Sequence, residues 1–151
     1  MSVIDRALQG LQRGSTEPLT LSVPDALAAI LVASVSVDGT LNVDETARME
    51  GLLSTSRLFR AVSGTANAGS VERAITLLNE RGTATVLTAC AEALPPDLHA
   101  TAFAVAVDLV FSDGRVEARE KAYVDALQRA LGLDDATALK IVEVLLIKNR
   151  A

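Results

Sequence analysis

The sequence predicts an all-α fold: a single compact domain of seven to eight helices. Apolar residues recur at helical spacing along most of the chain, and no segment alternates for long at the two-residue spacing of a strand. Half of the 151 residues are hydrophobic, which is enough apolar side chain to bury a sizeable core. Glycines, prolines and typical capping residues divide the apolar pattern into helices joined by short loops.

Three helices are predicted before residue 60. Residues 3–13 are amphipathic and predict a short first helix, and the Gly, Pro, Ser and Thr of residues 14–23 predict a loop. Pro24 suits the first turn of a helix over 25–38, which is apolar nearly all round and should therefore be central. A further helix is predicted over 43–57.

The rest of the chain contains five predicted helices, each bounded by a recognisable signal. Ser70 is a typical N-cap for the first of them, and Gly82 is placed to end it. Pro95 and Pro96 end the second, and Gly132 separates the last two. The third is again apolar nearly all round. The predicted spans are 71–81, 84–94, 97–113, 118–131 and 135–149.

An internal repeat relates the two apolar helices to each other. Each copy consists of an apolar helix, an Asp-Gly break and an amphipathic helix that starts two or three residues later. A single copy could not bury its apolar helix, whereas two copies can if their apolar helices pack together. The aligned pairs are Asp38 with Asp113, Gly39 with Gly114, Leu41 with Val116 and Glu45 with Glu120.

The aspartate of each break occupies an electrostatically unfavourable position. A carboxylate at a helix C-terminus faces the negative end of the helix dipole, which costs roughly 0.3–1 kcal/mol. Two compensations are open: a backbone N–H of the turn or of the next helix, or a cation shared with the nearby glutamate. Glu45 and Glu120 each lie three residues after a cap position, at Asn42 and Glu117, which is the spacing of a capping box.

The acidic breaks share part of the spacing of an EF-hand calcium loop. A Gly is followed six residues later by a Glu, but the early carboxylates of the loop are missing in both copies, which excludes a true EF-hand. A weaker divalent-cation site stays open. Asp108, inside an apolar helix, either lies at the domain surface or pairs with an Arg or Lys, such as Arg115 or Arg119, or it points into that site. The candidate metal ligands are Asp38, Glu45, Asp108, Asp113, Glu117 and Glu120.

Two segments, VSVDGTLNVDETARMEGLL and VFSDGRVEAREKAYVDALQRALGLD, resemble the TerB-like, tellurite-resistance family. The residues that match its acidic motif are Asp38, Glu45, Asp113 and Glu120, while Ala33 stands where the second copy has Asp108. The resemblance covers residues 24–149. It implies an all-α fold built from related halves, and a non-catalytic role in tellurite and chemical-stress response. It also implies metal binding or membrane-associated complexes with protein partners.

On this basis we expect an N-terminal helix and loop over residues 1–23 and a TerB-like all-helical domain over 24–151. The net charge of −5 argues against nucleic acid and against an anionic membrane surface as partners. The longest weakly polar stretch, 26–37, is shorter than the roughly 20 residues of a membrane-spanning helix. No apolar signal core is present at the N-terminus. We therefore expect a cytoplasmic protein without direct membrane insertion.

No motif for catalysis is visible in the sequence. His99 is expected at the solvated surface, and Cys90, the single cysteine, is expected to fill space in the core. There is no phosphate-binding Gly loop, no Cys-rich zinc spacing and no nucleophile elbow. We therefore do not expect an enzyme.

Two functions follow as hypotheses. The first is a TerB-like stress-response protein that binds a divalent cation through the acidic Asp-Gly turns. The second is a helical protein–protein interaction module whose carboxylates only cap helices and whose exposed apolar surface docks a partner. The apolar fraction would suit a homo-oligomer, but the sequence does not locate the patch.

Overall fold

A computed structural model describes residues 2–4, 18–37, 68–112 and 114–150, and every regular element in these ranges is helical. The predicted all-α class is confirmed. The helix predicted over 43–57, and most of the one over 3–13, lie outside the described residues. The six α-helices are α1 (Val23–Val35), α2 (Ala68–Arg81), α3 (Thr83–Ala93), α4 (His99–Val110), α5 (Ala118–Ala130) and α6 (Asp135–Lys148), with a short 3₁₀ helix at Pro96–Leu98.

The helix α1 is the centre of the described core. Its residues 26–34 are all buried, and it packs against α2, α3 and α4. Ser22 is its N-cap, because the hydroxyl of Ser22 accepts a hydrogen bond of 3.2 Å from the backbone N–H of Asp25. Leu27 and Ile30 are almost fully buried, and each contributes about 1.5–3 kcal/mol to folding. The prediction of a central apolar helix is confirmed over these residues.

The start of α2 differs from the prediction. The helix begins at Ala68, so Ser70 lies inside its first turn and is not the N-cap. The hydroxyl of Ser70 donates to the carboxylate of Asp25 at 3.0 Å, and Arg73 donates to the same carboxylate at 2.9 Å. This contact with α1 explains why Ser70 is buried within the helix. The predicted end at Gly82 is confirmed.

The turn between α5 and α6 sets the angle at which these two helices meet. Gly132 adopts a φ of 67°, the left-handed region that favours glycine. The N–H of Leu133 donates to the carbonyl of Gln128 at 3.2 Å, and the N–H of Gly132 donates to that of Arg129 at 3.1 Å. These two bonds form a Schellman motif that ends α5. Within the described ranges, no helix combines the length and the apolar character needed to cross a bilayer.

Candidate functional site

Asp108 is held by the end of α6. Its carboxylate accepts hydrogen bonds from Lys148 Nζ at 3.1 and 3.2 Å and from Asn149 Nδ2 at 2.8 Å. Pairing with a cation is therefore confirmed, but the suggested partners Arg115 and Arg119 are wrong, because α6 brings Lys148 to this end of α4. The Lys148 side chain is 60% exposed, so the pair contributes no more than about 1 kcal/mol.

Glu117 and Glu120 meet at the start of α5. Glu117 is the N-cap residue, in an extended conformation, and its backbone N–H donates to Glu120 Oε1 at 3.0 Å. The Glu120 side chain is only 6% exposed. A buried carboxylate that accepts a backbone N–H at a helix N-terminus is well placed relative to the helix dipole. The capping role predicted for the second copy is confirmed by this bond.

The cation site predicted from the acidic turns stays a prediction. Asp38, Glu45 and Asp113 lie outside the described residues. In the part of the chain that is described, no group of three or more His, Cys, Asp or Glu side chains is placed to hold a metal ion. Two of the candidate ligands that are described already have a protein partner. Asp108 contacts Lys148, and Glu120 accepts a hydrogen bond from a backbone amide.

An open apolar groove lies between α4, α5 and α6. It has a volume of about 610 Å³ and is large enough for several side chains of a ligand. Phe103 of α4 is buried beneath it. Leu139 and Leu146 line it from α6 yet remain 58% and 46% exposed. The main apolar side chains of the groove are Phe103, Phe111, Val116, Val124, Leu139 and Leu146.

The helix α6 carries more exposed apolar surface than the other described helices. Besides Leu139 and Leu146, Val144 and Ile147 are 62% and 69% exposed. Single exposed aliphatic residues are ordinary, but four on one helix of 14 residues are typical of an interaction surface. The sequence alone did not locate this patch. The available signal was that residues 139–147 are apolar on every side of the predicted helix, although a helix at one edge of a domain buries only one side.

The polar rim of the groove contains charges of both signs. Gln128 Nε2 donates to Asp135 Oδ1 at 2.8 Å, so the carboxylate of Asp135 has a partner. Lys121 and Asp125 lie one turn apart on α5 and also line the groove. Within the described ranges, neither side chain forms an ion pair. These two opposite charges, one turn apart beside an apolar cleft, are placed to influence the orientation of a ligand.

His99 has a structural position that the sequence did not reveal. It is half-buried, and the expectation of a solvated surface residue is wrong. Its Nδ1 lies 2.9 Å from the carbonyl oxygen of Leu131, and its Nε2 lies 3.0 Å from those of Ala91 and Leu94. These carbonyls belong to the C-terminal ends of α3 and α5. His99 therefore joins both ends to the start of α4.

Cys90 is a core residue, as expected. It is fully buried, and desolvation raises the pKa of its thiol to about 12. A thiol with such a high pKa is almost entirely protonated near neutral pH, and the thiolate is the reactive form. The sulfur therefore fills space rather than acting as a nucleophile.

Comparisons with known proteins leave the family of this chain open. No protein-family model, curated protein or solved structure matches this chain. The resemblance to the TerB-like family therefore stays a prediction from the two Asp-Gly segments.

Proposed function

We propose that this protein is a helical protein–protein interaction module that binds an amphipathic helix in the groove between α4, α5 and α6. The observation that carries the proposal is the groove of about 610 Å³ with Leu139 and Leu146 exposed along it. A helix binds such a groove through apolar residues at positions i, i+3 or i+4, and i+7. Burial of each leucine contributes about 1.5–3 kcal/mol before the cost of association.

The acidic residues support this function over cation binding. Asp108 already accepts bonds from Lys148 and Asn149, and Glu120 accepts one from a backbone amide. A cation bound by these carboxylates would have to displace those donors, including the positive charge of Lys148. In the proposed function, Asp108 links α4 to the end of α6, and Glu120 caps α5. They thereby hold the three helices that enclose the groove.

Cation binding is tested separately by thermal unfolding with Ca²⁺, Mg²⁺, Mn²⁺ or Zn²⁺. A ligand that binds only the folded state raises the melting temperature. We expect no shift at millimolar metal, for the intact chain and for the Asp108→Asn variant alike. A shift in the intact chain that disappears in Asp108→Asn would instead favour the TerB-like cation-binding function.

We further propose that the fold is built from two related halves with seven to eight helices in all, as in a TerB-like, non-enzymatic stress-response protein with protein partners. The packing of α1 against α4 supports this proposal. These are the apolar helices of the two copies, and burial of one against the other is what a duplicated unit requires. Gly114 supports it too, because its φ of 77° suits the predicted Asp-Gly break.

The docking function is tested with a displayed library of amphipathic helical peptides, selected against the intact folded chain. We compare Leu139→Glu with Val144→Glu as matched variants. Both residues are exposed on α6, at 58% and 62%, but Val144 lies about 140° around the helix from Leu139 and does not line the groove. Both introduce the same charge on the same helix.

Selected peptides should share an apolar i, i+3, i+4, i+7 pattern and bind the intact chain and Val144→Glu equally. Leu139→Glu should weaken them by at least about tenfold, since it places a charge in an apolar contact. Failure to select any binder, or equal loss in the two variants, would overturn the proposed function.

A further inference from the structure

We propose that His99 is a pH-dependent clasp: with both ring nitrogens protonated it joins the C-terminal ends of α3 and α5 to the start of α4, and loss of one proton releases α5. This inference goes beyond the docking function and does not depend on it. It stands on the geometry of the ring. Nδ1 lies 2.9 Å from the carbonyl oxygen of Leu131, and Nε2 lies 3.0 Å from those of Ala91 and Leu94.

The three carbonyls need a donor from outside their own helices. The N–H that would bond to Ala91 in a longer helix belongs to residue 95, which is a proline and has none. Within the described ranges, no backbone bond at the helix ends reaches the carbonyl of Ala91, Leu94 or Leu131. The last carbonyls of a helix lack partners within it. His99 supplies the donor at both ends.

A neutral imidazole cannot satisfy this arrangement. It has one N–H, and its other nitrogen directs a lone pair at a carbonyl oxygen, whereas an imidazolium donates from both nitrogens. The partial negative charge of two helix C-termini also favours a positive ring. The start of α4 has the opposite polarity, but the backbone N–H of His99 is already bonded to the carbonyl of Pro96. The ring itself bonds to carbonyls.

The side-chain charges around the clasp do not oppose a positive ring. In the part of the chain that is described, no carboxylate forms an ion pair with His99. The thiol of Cys90, next to Ala91, is protonated and uncharged. The charged residues closest in sequence to the ring and its three carbonyls are all exposed, and three of the four are acidic: Glu92 of α3, Asp97 of the 3₁₀ helix, Arg129 of α5 and Asp134.

The same geometry determines which bond is lost when the ring becomes neutral. A lone pair on Nε2 would face two carbonyls, those of Ala91 and Leu94, whereas a lone pair on Nδ1 would face only that of Leu131. The neutral ring therefore keeps its proton on Nε2 and loses the bond to Leu131. The end of α3 stays attached to α4, and the end of α5, a helix that lines the groove, is released.

Ring-nitrogen NMR of the intact chain tests the clasp directly, because His99 is the single histidine. At pH 7, both ring nitrogens should be protonated in most folded molecules, whereas in concentrated urea at the same pH most rings should have one bare nitrogen. As the pH is raised, the folded ring should lose the proton on Nδ1, and the carbonyl ¹³C signal of Leu131 should shift with it. The carbonyl of Leu94 is the matched control and should shift much less, because it stays bonded to Nε2.

Urea unfolding gives an independent measurement. His99→Gln keeps amide donors at this position but cannot gain or lose a proton in this range. The intact chain should gain stability over this variant in acid, because the folded state holds a proton that the unfolded chain releases. The ratio of unfolding constants, variant over intact chain, should be about five- to tenfold larger at pH 6 than at pH 8.5.

Three results would overturn the proposal. The first is a folded chain whose ring has one bare nitrogen at pH 7, as in urea, and it requires no variant. The second is a ratio of unfolding constants that stays flat or increases as the pH rises. The third is a bare Nε2 at high pH with the signal of Leu94, rather than that of Leu131, following the titration, which would contradict the release of α5.

Discussion

Replacement of Tyr123 by Phe tests the polar contact that joins α5 to the central helix. The Tyr123 side chain is only 7% exposed. Its hydroxyl lies 2.9 Å from Ser34 Oγ and donates to the carbonyl of Ile30 at 2.9 Å. Ser34 Oγ also lies 2.8 Å from that carbonyl. Each hydroxyl has one proton, so one donates to the carbonyl and the other donates to its neighbour.

The geometry limits the cost of the substitution. When the Tyr123 hydroxyl is removed, Ser34 still donates to the carbonyl of Ile30, so no buried acceptor loses its only donor. The expected loss is therefore that of one net hydrogen bond, about 0.5–1.5 kcal/mol, rather than the roughly 1–3 kcal/mol of an orphaned polar group. Ser34→Ala should cost a similar amount. The two losses should at least add, because each single variant keeps one hydroxyl bonded to the carbonyl of Ile30 and the double variant keeps neither.

The assay is thermal and urea unfolding followed by circular dichroism for the intact chain, the two single variants and the double variant. A loss of 1 kcal/mol corresponds to about 2–4 °C in Tm for a chain of this length. A double variant that loses no more stability than either single variant would refute these contacts. So would a Tyr123→Phe chain that is as stable as the original, or one that loses more than about 3 kcal/mol.

The same residue has a signature at high pH. Burial raises the pKa of Tyr123 well above its ordinary value of 10.0, and this outweighs the hydrogen bond from Ser34, which favours the ionised form. The unfolded chain therefore loses this proton first. The contribution of the protonated Tyr123 hydroxyl to stability is complete below the ordinary pKa. It is lost as the pH rises from there toward the pKa of the folded state. The Tyr123→Phe variant should lack this part of the decline, measured as stability against pH between about 9 and 11.

Three further predictions concern stability. His99→Ala should lower it by roughly 1–3 kcal/mol in urea unfolding, because the ring N–H that donates to the helix-end carbonyls is lost, and a loss below about 0.5 kcal/mol would contradict the assigned contacts. Gly132→Ala should cost about 1–2 kcal/mol because of the positive φ, measured in the same way, and an unchanged midpoint would contradict the strain. Burial of Asp25 opposes its ionisation, but bonds from Arg73 and Ser70 together with the Arg73 charge outweigh this and hold its pKa below the ordinary 3.8. The stabilisation of the fold by ionised Asp25 is complete above its ordinary pKa of 3.8, and it is lost as the pH falls through the pKa of the folded state. The stability difference between the intact chain and Asp25→Asn should therefore shrink in acid, and a difference that grows would contradict the sign.

The local signals in the sequence were enough to predict the helices but not the contacts between them. Pro95, Gly82 and Gly132 end or separate helices through backbone effects of their own, and the structure confirms all three. Ser70 was assigned to the wrong role because its hydroxyl donates to Asp25, 45 residues away in the chain. No local pattern reports a bond of that kind.

The candidate site was less predictable for the same reason. The partner of Asp108 is Lys148, 40 residues further along, and only the packing of α6 against α4 brings them together. The bond to Glu120 was predictable, because a capping box depends on residues three apart. The groove depends on the angles between three helices, so the apolar sides of residues 139–147 could indicate an interaction surface but not its shape.

The central claim is that the groove between α4, α5 and α6 is the surface through which this protein binds a helix. Its most direct test is a methyl NMR titration of the Leu- and Val-labelled chain with a helical peptide selected against it. Val142 of α6 also lines the groove. The account predicts that the methyl signals of Leu139, Val142 and Leu146 shift in proportion to the bound fraction while those of Val144 stay in place. Binding that shifts Val144 but leaves the three groove residues unchanged would contradict it.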